Sequence, residues 1–214
     1  MDKNISNVKS EILYWSKRLY QNGMSPSTSG NISARSGKNF LLSASGVCLN
    51  DMDESDIILV DKYGIVLDKN KKNPTSEKAT HLKIYETRND INAIIHCHCP
   101  ILTAFAAAGI ELKEPILPDF ALLFEKIELV PFYCPSTDEL ANAAREVFKR
   151  NNAALLKNHG FILGANTLKN AYYQLEILQA YAKTYIYSKV IGQPYKISKS
   201  SIKEIKKIYS KKST

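Results

Sequence analysis

The sequence predicts an α/β fold: one domain built around a largely antiparallel sheet. Three observations carry this. Apolar residues recur at helical spacing in several long segments, and short apolar runs bounded by Gly, Pro, Asn or Ser lie between them. Two of those runs, 57–60 and 65–67, flank Asp61-Lys62-Tyr63-Gly64 as the arms of a hairpin flank its turn. Helices and strands also fail to alternate strictly, so a parallel sheet of repeated βαβ units is not expected.

The elements follow in order. Ile5, Val8, Ile12, Trp15 and Leu19 repeat at helical spacing, which predicts an amphipathic helix over 5–21, ended by Gly23. Ser25-Pro26-Ser27-Thr28-Ser29-Gly30-Asn31 is a loop of small residues. Phe40-Leu41-Leu42 is a strand that Ser43-Ala44-Ser45-Gly46 breaks. Pro74-Thr75-Ser76-Glu77 opens a helix reaching about residue 88, with Thr75 as its N-cap. Residues 91–98 form a strand and 101–108 a short helix closed by Gly109. The run 129–133 is short and interrupted by Pro131, which suits an edge strand. Ser136-Thr137-Asp138-Glu139 has capping-box spacing and starts a helix to about residue 150. Strands at 153–156 and 160–163 enclose His159, and Thr167 caps a long helix to about residue 190, ended by Gly192 and Pro194.

At 214 residues and 44% hydrophobic, the chain can bury a full core. We assign 1–195 to a single domain and 196–214 to a Lys-rich tail. The net charge of +8 sits mostly in that tail, which holds seven Lys and one Glu. The body has no basic stripe interleaved with aromatics, so no nucleic-acid partner is expected. No apolar run approaches the roughly 18 residues of a membrane span. Met1-Asp2-Lys3-Asn4 leads into the first helix without a signal-peptide pattern. Four scattered cysteines without a framework fit a reducing cytoplasm.

Chemistry concentrates at His96-Cys97-His98. On a strand, side chains alternate, so His96 and His98 share one face and Cys97 and Cys99 the other. Two imidazoles on one face can close on one metal ion, and His159 can supply a third ligand while leaving a position open for water or substrate. A lone His-x-His pair is also compatible with packed, backbone-bonded histidines. Three loops rich in hydroxyls and Gly, 27–31, 43–46 and 75–76, are candidates for holding phosphate, the last at a helix start. Each alone also reads as an ordinary turn. Glu77 is a candidate general base, or a carboxylate that favours the helix dipole. His81, one helical turn on, reads as a packed histidine, or one standing behind the ligands, rather than a fourth ligand.

Thr28-Ser29-Gly30-Asn31-Ile32-Ser33, Ser45-Gly46, Pro74-Thr75-Ser76-Glu77 with His81, His96-Cys97-His98 and Asn158-His159-Gly160 occur in that order. Together they resemble the class II aldolase and adducin head domain family, over about residues 8–190. The resemblance implies a three-layer α/β/α fold with a central, mostly antiparallel sheet. It implies a C4 homotetramer with active sites between subunits. It implies Zn²⁺, or another divalent metal, on His96, His98 and His159, with Glu77 as acid/base and as a further ligand when substrate is absent. Substrate phosphate is implied on Gly30, Asn31, Ser45, Gly46, Thr75 and Ser76. The expected activity resembles that of L-fuculose-1-phosphate aldolases: reversible cleavage of a ketose 1-phosphate to dihydroxyacetone phosphate and an aldehyde. The family's alternatives are a methylthioribulose-1-phosphate dehydratase, a pentulose-phosphate 4-epimerase and a sugar-acid-derived decarboxylase, or an adducin-like scaffold without activity. Epimerases of the family carry Asp where this chain has Glu77, which favours the aldolase. The Tyr that protonates the aldehyde oxygen in the family is missing from Pro118-Asp119-Phe120, and Tyr209 is the replacement candidate on the aldehyde side.

Overall fold

The computed structural model describes residues 3–67, 69 and 72–210; Met1-Asp2 and the last four residues of the Lys-rich segment lie outside it. In chain order the elements are α1 (Lys3–Gln21), β1 (Asn31–Ser36), β2 (Asn39–Ser43), β3 (Ile57–Val60), α2 (Lys78–Thr87), β4 (Ala93–Cys97), α3 (Pro100–Ala108), α4 (Pro118–Leu123), β5 (Glu128–Val130), α5 (Asp138–Phe148), β6 (Ala153–Leu156), β7 (Gly160–Ala165), α6 (Leu168–Ile191) and α7 (Lys199–Ser210). One seven-stranded sheet runs in the order β3-β2-β1-β4-β7-β6-β5. Every pairing is antiparallel except that of β5 with β6, which α5 connects. The mostly antiparallel α/β sheet is as expected, and β5, shorter than the predicted 129–133 because it stops before Pro131, lies on its edge.

Strand alternation sorts the apolar residues into two cores. In β4, Ala93, Ile95 and Cys97 face one core, while Ile94 faces the other. β7 repeats this, with Phe161, Leu163 and Ala165 on one side and Ile162 on the other. The first core is roofed by α1, α3, α4 and α6, through residues such as Ile12, Trp15, Leu102, Phe120 and Leu175. The second is roofed by α2 and α5, through Ile84, Tyr85, Leu140 and Phe148. Helices on both faces give the three layers. The central strands are therefore buried on both sides.

Several sequence expectations need correction. The strand β1 was not foreseen in Ile32-Ser33-Ala34-Arg35-Ser36. Its small residues have low strand propensity, yet it lies between β2 and β4 with hydrogen-bonded neighbours on both sides. The helix α2 begins at Lys78 and its N-cap is Glu77, not Thr75; Thr75 Oγ1 instead accepts from the Glu77 N–H at 3.3 Å. No capping box starts α5. Its cap is Thr137, whose side chain accepts from Leu140 N, while Ser136 takes a left-handed φ of 67°. The expected hairpin around 61–64 is present in short form: Val60 bridges Val66, Leu67 N–H donates to Leu59 O at 2.9 Å and Asp61 N–H to Ile65 O at 3.0 Å. The Lys-rich segment contains α7, which packs on α4.

Thr167 does cap α6, accepting from Asn170 N at 3.1 Å. Thr167→Ala should cost about 1 kcal/mol in the denaturant midpoint. Metal content per folded chain should not change, because the Thr167 side chain accepts from Asn170 N and does not line the cleft.

Candidate metal centre

The central strands build the site. β4 carries His96 opposite Asn31 of β1 and Ile162 of β7. His98 follows just after the strand's end. His159 sits in the tight turn from β6 to β7, where its N–H donates to Leu156 O at 3.0 Å and Asn158 adopts φ 53°. Asn tolerates that conformation better than most residues. The turn folds His159 back over β4, so the ring centroids of His96, His98 and His159 stand 4.8–5.1 Å apart. Cys97 and Cys99 point into the opposite core, as alternation requires.

Two glycines make the approach feasible. A Cβ on Gly160 would meet the Cys97 carbonyl oxygen at 2.7 Å and His98 Cδ2 at 2.9 Å. A Cβ on Gly30 would meet the His96 carbonyl oxygen at 2.8 Å, and Gly30 has φ +79°. Gly160→Ala should therefore shift the His98 ring and β4. We expect metal affinity to fall by about 10–100-fold, the scale at which loss of ligand orientation registers. Wild-type affinity in a metal titration of this variant would show that the rings yield freely.

The donors fit one metal ion. His96 Nδ1–H donates to Phe161 O at 3.0 Å, which leaves Nε2 as its ligand atom. His96 Nε2 and His98 Nε2 lie 3.2 Å apart. Glu77 Oε1 lies 3.3 Å from both His96 Nε2 and His159 Nε2. Ligands about 2.05 Å from a tetrahedrally held ion stand roughly 3.3 Å from one another, so these spacings are those of a coordination shell. Glu77 Oε2 and His159 Nδ1 are buried with no hydrogen-bond partner among the described residues. Among the described residues, His96, His98 and His159 are also the one group spaced to hold a metal ion.

The electrostatics agree. Burial works to raise Glu77, but the imidazoles of His96 and His159 override it and hold the carboxyl far below the usual range. Burial lowers His96, yet the Glu77 carboxylate outweighs it and raises its basicity. Burial, with His96 and His159 alongside, pushes His98 down to about 4. A proton and a divalent cation compete for the same nitrogens, and the carboxylate attracts either.

A cleft of about 270 Å³ opens beside these groups. Gly30, Asn31, Ser45, Gly46, Thr75 and Ser76 all line it, together with Glu77, His98 and His159. A bridge between Ala44 and Pro74 locks two of the loops together, with Ser45 N–H donating to Asn73 O and Thr75 N–H to Ser43 O. Those two backbone N–H groups are therefore not free to donate into the cleft. Pro135 and Ser136 also line the cleft and were not anticipated. The positive φ of Ser136 has no signature in the residue type. Among the described residues, the three non-Gly residues with positive φ, Ser27, Ser136 and Asn158, flank or line this site. Tyr209 stands apart on α7, half exposed, and is not among the described residues lining the cleft. A larger cavity of about 710 Å³, lined by Arg35, Lys38, Lys62 and Lys83 among others, has no group of metal-binding side chains. Donor chemistry, not volume, therefore identifies the site.

The family model described as Class II Aldolase and Adducin N-terminal domain matches residues 10–186. The chain is 31% identical over 205 residues to the 5-deoxy-D-ribulose 1-phosphate aldolase of Bacillus thuringiensis serovar kurstaki, covering 95% of each chain. It is 35% identical over 176 residues to the L-fuculose phosphate aldolase of Methanocaldococcus jannaschii, covering 82% of this chain and 93% of that one. A solved L-fuculose 1-phosphate aldolase superposes with a TM-score of 0.88 at 30% identity, covering 96% of this chain and 97% of that one.

Proposed function

Because the chain belongs to the class II aldolase and adducin N-terminal domain family, we propose that it is a zinc-dependent aldolase that reversibly cleaves a ketose 1-phosphate to dihydroxyacetone phosphate and an aldehyde. It is an enzyme of the lyase class, in line with relatives named as aldolases along most of its length. One observation carries the finer reading. A buried carboxylate and three histidines at ligand spacing open onto a cleft walled by three hydroxyl-rich loops. A phosphorylated substrate with a carbonyl and an adjacent hydroxyl matches both halves.

His96, His98 and His159 would hold the metal, which supplies Lewis acidity toward an oxygen of the substrate. Asn31, Ser45, Thr75 and Ser76 bind and orient the phosphate from their loops. The start of α2 adds the positive end of a helix dipole. Glu77 removes a proton from the carbon of dihydroxyacetone phosphate that attacks the aldehyde, and returns it on cleavage. In the proposed C4 homotetramer, Tyr209 would reach the aldehyde side of a neighbouring subunit's site and protonate its oxygen. We place the enzyme in the cytoplasm. All four cysteines are free thiols, and no helix among the described residues is long and apolar enough to cross a membrane.

The phosphate half has its own test. Thr75→Val combined with Ser76→Ala should raise KM for phosphorylated substrate at least about tenfold, since hydrogen bonds to a charged group contribute about 1.5–3 kcal/mol. Equal turnover of the unphosphorylated sugar would remove the phosphate site from the reading. The function as a whole is tested by metal analysis together with a turnover screen of ketose 1-phosphates, detecting dihydroxyacetone phosphate. Metal-replete protein that cleaves none of them would overturn it.

A further inference from the structure

Asn31 lines the cleft at the end of a hydrogen-bond line that runs back into the second core. Tyr85, Ser33 and His81 are buried, with 0–1% of their surface exposed. The Tyr85 hydroxyl lies 2.8 Å from Ser33 Oγ, and Ser33 Oγ lies 2.7 Å from His81 Nδ1. His81 Nε2 lies 2.5 Å from Asn31 Oδ1. Only one direction of proton donation satisfies every donor. Asn31 Oδ1 can only accept, so His81 Nε2 carries the ring proton and Nδ1 accepts from Ser33, whose oxygen in turn accepts from the Tyr85 hydroxyl. The Ser33 proton then goes to His81 Nδ1, and His81 Nε2–H donates to Asn31 Oδ1. The reverse direction would leave the buried phenol proton without an acceptor among the described residues, which costs about 1–3 kcal/mol. Burial pushes His81 down to about 3, so the ring is neutral and has one donor and one acceptor to give.

We propose that His81 is a positioning residue: held by Ser33 and Tyr85, it fixes the Asn31 carboxamide with its oxygen inward and its NH₂ toward the cleft. A carboxamide can rotate to present either end, and an oxygen turned outward would repel a phosphate. The line removes that freedom before the ligand arrives. The sequence reading of His81 as packed, or as standing behind the ligands, described its burial and did not name Asn31 as the group it orients. The inference rests on the phosphate-binding reading of the cleft given above.

The test is a double-mutant cycle read by ³¹P line broadening as inorganic phosphate is titrated into zinc-loaded protein. His81→Leu should weaken phosphate binding about tenfold, the scale of one hydrogen bond to a charged group. Ser33→Ala should weaken it in the same direction by less. In an Asn31→Ala background neither substitution should weaken it further, because both act through Asn31. Circular dichroism and thermal melts establish which variants fold, and if His81→Leu does not, the Ser33→Ala cycle decides alone. Folded variants that bind phosphate as the wild type does, or that weaken it equally with and without Asn31, overturn the inference while the phosphate cleft stands. Wild-type protein that gives no broadening overturns the cleft reading and the inference together.

Discussion

His159→Ala should strip the metal and the activity together. In the proposed site His159 supplies one of three ligand nitrogens, and it stands 3.3 Å from Glu77 Oε1. It comes from a different part of the chain than His96 and His98, which share one end of β4. Removing it leaves two donors 3.2 Å apart on a single segment, with no third nitrogen to close the shell. Loss of a group that only orients a ligand already costs about 10–100-fold in affinity, so loss of a ligand itself should exceed that range. Metal content after dialysis should fall to near zero in His159→Ala and in His96→Ala, with turnover falling in step. A chelator should abolish wild-type activity, and zinc should restore it to the wild type and not to the variants. Full metal occupancy in both alanine variants would show that the histidines are not the ligands.

The two ends of this site differed in how far they could be read without coordinates. The metal half was legible because it is local. Strand alternation places His96 and His98 together, and histidine is scarce enough that His159 stands out. The two-sided packing of the sheet hid other parts. β1 carries Ser33, Ala34 and Ser36 where a strand ordinarily advertises itself with branched or aromatic residues, so it passed as loop. Missing it also concealed what β1 does: it carries Asn31 opposite His96 and puts Ser33 in contact with His81. The contribution of Pro135 and Ser136 was likewise invisible, because a left-handed serine has no compositional signal and its loop reaches the cleft only through the parallel pairing of β5 with β6. Tyr209 illustrates the converse. A resemblance suggested a role, and within one chain α7 holds it half exposed, outside the described lining of the cleft.

Glu77→Gln should lower kcat by about 10²–10⁴-fold, the usual contribution of general acid–base catalysis, while leaving zinc in place. The substitution keeps the shape of the side chain and removes its capacity to accept a proton. Metal retention is expected because His96, His98 and His159 remain. The carboxylate is well placed for the task. It is the N-cap of α2, 6% exposed, with Oε1 against two imidazoles and Oε2 buried without a hydrogen-bond partner among the described residues. Its two influences also oppose one another. Burial raises its proton affinity, and the imidazoles of His96 and His159 lower it. With a divalent ion held by those nitrogens, the ion's own charge takes the place of their protons beside the carboxylate, so Glu77 stays ionised and able to accept a proton. Steady-state rates alone cannot separate deprotonation from carbon–carbon bond formation, so the decisive measurement is exchange of the dihydroxyacetone phosphate proton with deuterated solvent in the absence of aldehyde. Glu77→Gln should lose that exchange by the same factor as kcat. Exchange at the wild-type rate in a zinc-replete variant would reduce Glu77 to a ligand or a helix-start carboxylate and assign the base to another group in the cleft.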